Sequence, residues 1–157
     1  MSVFDKSKIN NPIILIDTSY TSFYRFFATI RWYSFAYPEE FNKLKLDLNY
    51  NWKTNKVFIE KYEKMYLESI IKLVKKKVWN NSEIIFCMDS PKANLWRTKL
   101  DNNYKGDRID LSLKYNYKST FDYTYNLMIP NLIKTYSNIN AKKVSWTGNT
   151  IKFKLCV

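Results

Sequence analysis

The sequence predicts an α/β domain with an open, mostly parallel sheet flanked by helices. Three observations lead there. Residues 13–16 (Ile-Ile-Leu-Ile) and 84–88 (Ile-Ile-Phe-Cys-Met) are short apolar runs, and each ends in an acid, Asp17 and Asp89. Runs of this kind suit strands buried on both faces, as parallel strands are. The segment between them carries a helical pattern long enough for the crossover that a parallel pair needs. With 157 residues, only 2 Gly and 4 Pro, the chain has the length of one domain and favours long regular elements over tight turns.

After the first strand, Thr18 or Ser19 is expected to cap a helix carrying Phe23, Phe26, Phe27 and Ile30 at helical spacing. Residues 34–55 mix Asn, Lys and aromatics and read as an irregular insertion, or as short helices starting near Pro38. Residues 57–79 give the clearest helix. Ile59, Tyr62, Tyr66, Ile70 and Leu73 form one stripe expected in the core, and Lys61, Lys64, Lys72 and Lys75 fall off it. Asn80 and Asn81 end it. After the second strand, residues 90–108 are polar and basic. Residues 109–136 hold one or two helices broken at Pro130. A third strand is expected at 144–146 and a fourth at 151–155, so the whole chain reads as a single domain.

Composition narrows the chemistry. Hydrophobic residues make up 46% of the chain, enough for a packed core. No apolar run reaches the roughly 18 residues of a membrane span, and nothing at the N-terminus reads as a secretion signal. The expectation is an intracellular protein with no membrane contact. Two cysteines, Cys87 and Cys156, make no disulfide framework, and Cys87 is expected as a buried thiol. There is no histidine, which removes most zinc sites and all His-based acid–base schemes. Any metal must be held by oxygen, which points to Mg²⁺ or Mn²⁺. The net charge of +12, from 26 Lys+Arg against 14 Asp+Glu, favours a polyanionic partner, most simply nucleic acid.

Two constellations carry that chemistry. The first is Asp17 with Asp89. Open parallel sheets bind ligands at the carboxyl ends of their strands, and two carboxylates converging there call for a hard divalent cation. The alternative is that Asp17 caps the following helix and that Asp89-Ser90-Pro91 is a turn. The second constellation is the basic stretch that starts at Asp89. It holds Lys92, Arg97, Lys99, Lys105 and Arg108, interleaved with Trp96 and Tyr104. Cationic side chains neutralise phosphate and aromatic rings stack on unpaired bases, although a solvated basic loop has the same composition.

Asp89, Trp96-Arg97 and then Tyr104-Lys105-Gly106-Asp107-Arg108 resemble the signature of the 5′–3′ exonuclease/flap endonuclease family, a PIN-like, resolvase-like fold. The segment Ile13-Ile14-Leu15-Ile16-Asp17-Thr18-Ser19 is similar to that family's first metal-binding strand, with Thr18 where glycine is frequent. The resemblance covers residues 12–108, and 109–136 loosely. It implies that Asp17 and Asp89 bind Mg²⁺ or Mn²⁺. It gives Lys105 and Arg108 the scissile phosphate, as catalytic residues at the base of a helical arch, with basic loop and arch together spanning 90–136 and the helices after Arg108 framing the arch. It has Tyr104 stack on a base and Arg97 contact backbone phosphate, with Lys92, Lys99 and Trp96 on the same nucleic-acid-binding segment. The implied substrate is DNA with 5′ ends or flaps, with RNA left open.

The chain departs from that pattern beyond residue 122. From Tyr123 to Val157 there is no Asp or Glu, only Lys134, Lys142, Lys143, Lys152 and Lys154 as charges. The family's further acidic cluster and its helix–three-turn–helix module have no counterpart. Two carboxylates give −2 against the +4 of a two-metal site, so one cation at most is expected. Glu39, Glu40, Asp101, Asp107 and Asp110 are other acids whose spacing does not demand a place there. The expectations are therefore a nuclease domain incomplete at its C-terminus, one half of a split nuclease whose second chain supplies the missing acids, or a non-catalytic nucleic-acid binder.

Overall fold

The computed structural model describes residues 12–89, 115–147 and 150–155. Strand β1 (Ile13–Asp17) leads directly into helix α1 (Thr18–Ala36), followed by α2 (Pro38–Leu44), a 3₁₀ turn at Trp52–Thr54, α3 (Lys56–Val74), α4 (Lys76–Asn80) and β2 (Glu83–Asp89). After residue 114 come α5 (Lys118–Tyr123), a π turn (Thr124–Met128), α6 (Ile129–Thr135), β3 (Ile139–Thr147) and β4 (Thr150–Leu155).

The four strands form one sheet in the order β1-β2-β3-β4. β1 pairs with β2 in parallel, β2 with β3 in parallel, and β3 with β4 antiparallel. The expected α/β class and mostly parallel pairing are therefore present. The third strand starts at Ile139, five residues earlier than the apolar run at 144 implies. Two asparagines hold its start in place: Asn138, just before the strand, donates to the carbonyls of Trp79 (3.1 Å) and Ser82 (3.0 Å), and Asn140 donates to Glu83 Oε1 (3.2 Å).

The core lies on one face of the sheet. Ile16, Ile84, Phe86, Ile139 and Ala141 are buried there with Phe26, Ile30 and Tyr33 of α1, Phe58, Ile59, Tyr62, Tyr66 and Ile70 of α3, and Met128, Ile129 and Leu132. β1 departs from the expected two-sided burial. It is an edge strand, and Ile13 and Leu15, on the face opposite Ile16, are exposed.

Segment 34–55 is ordered by aromatic packing. Pro38 opens α2, as a proline can at a helix start. Trp52 is buried, with its ring 4.8 Å from Phe58 and 5.8 Å from Tyr33. Such tilted and edge-on ring pairs add to area burial by roughly 0.5–1.5 kcal/mol each.

The long central helix differs from expectation in two ways. It stops at Val74, where Lys75 takes φ 69°, and restarts as α4. A non-glycine residue pays for that conformation, and it breaks the helical ladder. Leu73 is 84% exposed, not core. Ile70 of the stripe stays buried, and Leu67, Ile71 and Val74 pack beside it, so the stripe ends on Val74 rather than Leu73.

Residues 118–135 run as one continuous helical stretch, not broken at Pro130. Pro130 has no N–H to donate, and the preceding turn widens to a π turn, with Ile129 N–H reaching Thr124 O.

Candidate functional site

The carboxyl ends of β1 and β2 form the candidate site. In the parallel register Asp17 stands opposite Cys87, so Asp89 lies two residues further along β2, on the same face as Asp17. A strand separation of about 4.8 Å and a rise of about 3.3 Å per residue put the two Cα atoms roughly 8 Å apart. Both acids are exposed. The sequence thus brings two carboxylates to one face at one edge of the sheet, as expected.

Asp17 also has a second task. Its Oδ1 accepts a hydrogen bond from Tyr20 N at 2.8 Å, which makes Asp17, and not Thr18 or Ser19, the N-cap of α1. The cap satisfies one of the helix's first N–H groups and fixes the carboxylate at the strand-to-helix junction. Capping and metal binding are compatible, because a carboxylate offers two oxygens.

Ser19 stands in the first turn of α1, and its hydroxyl is 2.7 Å from the Tyr125 hydroxyl, 106 residues away in sequence. Tyr125 sits in the π turn. Burial pushes its hydroxyl above the ordinary tyrosine range. The Ser19 hydrogen bond opposes that rise, and the negative charges of Asp89 and Asp17 add to it. Tyr125 therefore senses both acids and stays a neutral phenol beside them. This role of Ser19 and Tyr125 is not legible in the sequence. Nothing in the spacing of the Tyr-rich stretch 109–136 marks residue 125, since its position depends on the π turn.

Cys87 lies between the two acids on the same face. It is half-buried rather than buried, and its thiol is raised by desolvation and by Asp17, while Lys142 pulls the other way. Lys142 of β3 is the register partner of Cys87, so Asp17, Cys87 and Lys142 form one row across three strands. Lys142 thus brings a cation to the row that holds Asp17. In the sequence Lys142 is only one of several positive charges near the C-terminus.

Lys92, Trp96, Arg97, Lys99, Tyr104, Lys105 and Arg108 lie outside the described residues, as do Asp101, Asp107 and Asp110. Glu39 and Glu40 belong to α2, beyond the far end of α1 from Asp17. Among the described residues, no three Asp, Glu, Cys or His groups converge as a metal-ligand cluster. The edge therefore offers two carboxylates. One Mg²⁺ fits such a pair, because Mg²⁺ is held by one or two carboxylates with waters and substrate phosphate filling its octahedron.

No helix among the described residues is long and apolar enough to cross a membrane. Comparison with protein-family models, with curated proteins and with solved structures finds no match in any of the three.

Proposed function

We propose that the chain is a divalent-metal-dependent 5′–3′ nuclease domain that acts on DNA ends and flaps, with one Mg²⁺ or Mn²⁺ between Asp17 and Asp89. The observation that carries this reading is their shared edge: two acids on neighbouring parallel strands, on one face, at the carboxyl end of the sheet. The motif resemblance of residues 12–108 and the net charge of +12 support the same substrate class.

In this reading Asp17 and Asp89 hold the cation, and α1 fixes the Asp17 carboxylate through the Tyr20 N–H. The cation supplies Lewis-acid activation of the phosphodiester and of an attacking water. Lys105 and Arg108 neutralise charge developing on the phosphoryl oxygens, Tyr104 and Trp96 stack on bases, and Lys92, Arg97 and Lys99 bind backbone phosphate.

A second reading is a nucleic-acid-binding module without turnover, or one half of a split nuclease completed by a second chain. The lack of any acid from Tyr123 to Val157 favours it, because a second cation needs more negative charge. A 5′-flap DNA cleavage assay in Mg²⁺ and in Mn²⁺ separates the two. The nuclease reading expects metal-dependent cleavage that Asp17→Asn and Asp89→Asn each abolish. Tight, salt-sensitive flap binding without cleavage in either metal leaves the binder. Cleavage that survives both substitutions overturns the assignment of the acids.

A further inference from the structure

Helix α1 buries some aromatic rings and exposes others. Phe23 packs on Phe27 (ring centroids 4.8 Å) and on Tyr117 (5.6 Å), and Phe26 is fully buried. Tyr20 and Tyr24, four residues apart and so on one side of the helix, point outward with 67% and 54% of their surface exposed. Their rings lie 6.3 Å apart and within 14° of parallel. The Arg25 guanidinium sits 4.6 Å from the Tyr24 ring centre, and Arg31 is exposed further along the same side. The helix contains no Asp or Glu. The stripe begins at the acidic edge, since Tyr20 N is bound to Asp17. From Tyr20 to Arg31 it covers about 16 Å of helix axis.

Two nearly parallel exposed rings, with one guanidinium beside Tyr24 and a second exposed arginine two turns further on, on a helix without carboxylates, match a ligand that has flat π faces and a string of negative charges. Single-stranded nucleic acid has both. A duplex hides its base faces in the stack, and an acidic peptide offers charge without them.

We propose that the exposed side of α1 is a single-strand track: Tyr20 and Tyr24 stack on unpaired bases, and Arg25 and Arg31 hold the backbone of a strand leading to the Asp17–Asp89 edge. This rests on the nucleic-acid reading above but not on metal binding or turnover, so it is tested without either.

The test is fluorescence anisotropy of the full chain in EDTA, with a labelled oligothymidylate and with an abasic deoxyribose-phosphate chain of equal length. Wild type is expected to bind the oligothymidylate at least tenfold tighter than the abasic chain. Tyr20→Ala and Tyr24→Ala each weaken oligothymidylate binding about tenfold and leave abasic binding unchanged, while Tyr24→Phe retains affinity. Arg25→Ala weakens both ligands. Because all these side chains reach the surface, unchanged circular dichroism is expected for every variant. Equal binding of the two ligands by wild type, or tyrosine variants that bind like wild type, overturns the track and leaves the nuclease reading standing. If wild type binds neither these ligands nor flap DNA, the track and the nuclease reading fall together.

Discussion

The Tyr125 hydroxyl and the Ser19 hydroxyl meet at 2.7 Å, so the π turn of the last helical stretch is tied to the first turn of α1, immediately beyond the end of β1. Residue 125 reaches that point because the turn around it is widened, and π turns of this kind recur at functional sites. The pair makes the geometry of the acidic edge depend on a segment more than a hundred residues away.

That link has a measurable strength. Ser19→Ala and Tyr125→Phe are each expected to lower stability by about 1 kcal/mol, the usual net value of a part-buried hydrogen bond. The double variant is expected to cost less than the sum, with a coupling of about 0.5–1 kcal/mol in urea denaturation. Strictly additive costs would mean that the two hydroxyls are not partners in solution.

Two buried tyrosines on α3 contrast with each other. Tyr62 donates to Thr124 Oγ1 at 2.8 Å, since the single Thr124 hydroxyl proton is already given to Thr120 O. The Tyr66 hydroxyl, equally buried, has no hydrogen-bond partner among the described residues. An unpaired buried hydroxyl costs about 1–3 kcal/mol. Tyr62→Phe is therefore expected to destabilise by about 1 kcal/mol, and Tyr66→Phe to leave stability unchanged or raise it. Thermal denaturation of the two variants reads the difference, and a larger loss in Tyr66→Phe would contradict it.

Alkaline pH tests the same region. Burial pushes the Tyr62 hydroxyl up to about 12, against the ordinary value of 10.0, with the Thr124 bond opposing the rise. The folded state thus keeps a proton that the unfolded chain loses first, so the stabilising contribution is complete below pH 10 and is lost as pH rises from 10 to 12. Denaturation midpoints are expected to fall across that window. Tyr62→Phe, which has nothing to ionise there, should fall less steeply than wild type.

Much of the fold was legible because it rests on local pattern. The two apolar runs ending in acids marked β1 and β2, and the long crossover between them implied the parallel pairing that puts Asp17 and Asp89 at one edge. What the pattern could not show depends on tertiary neighbours. Ile13 and Leu15 look like core residues, yet they lie on an edge strand with their face uncovered. Leu73 keeps the spacing of the Ile59 stripe, but after Ile70 the packed position is Val74, the last residue of α3, and Leu73 faces solvent. Lys142 enters the row of Asp17 and Cys87 only through β-pairing with a strand more than fifty residues earlier. Tyr125 is one of 13 tyrosines until the π turn aims it at Ser19.

In the proposed function the two acids of the sheet edge hold one divalent cation. Titration of Mn²⁺ against the full chain, followed by the electron paramagnetic resonance of the free ion, tests it most directly. One bound Mn²⁺ per wild-type chain is expected, displaced by excess Mg²⁺ and lost in Asp17→Asn and in Asp89→Asn. Wild type that takes up no Mn²⁺, or an Asp89→Asn variant that binds it as tightly as wild type, would contradict the account.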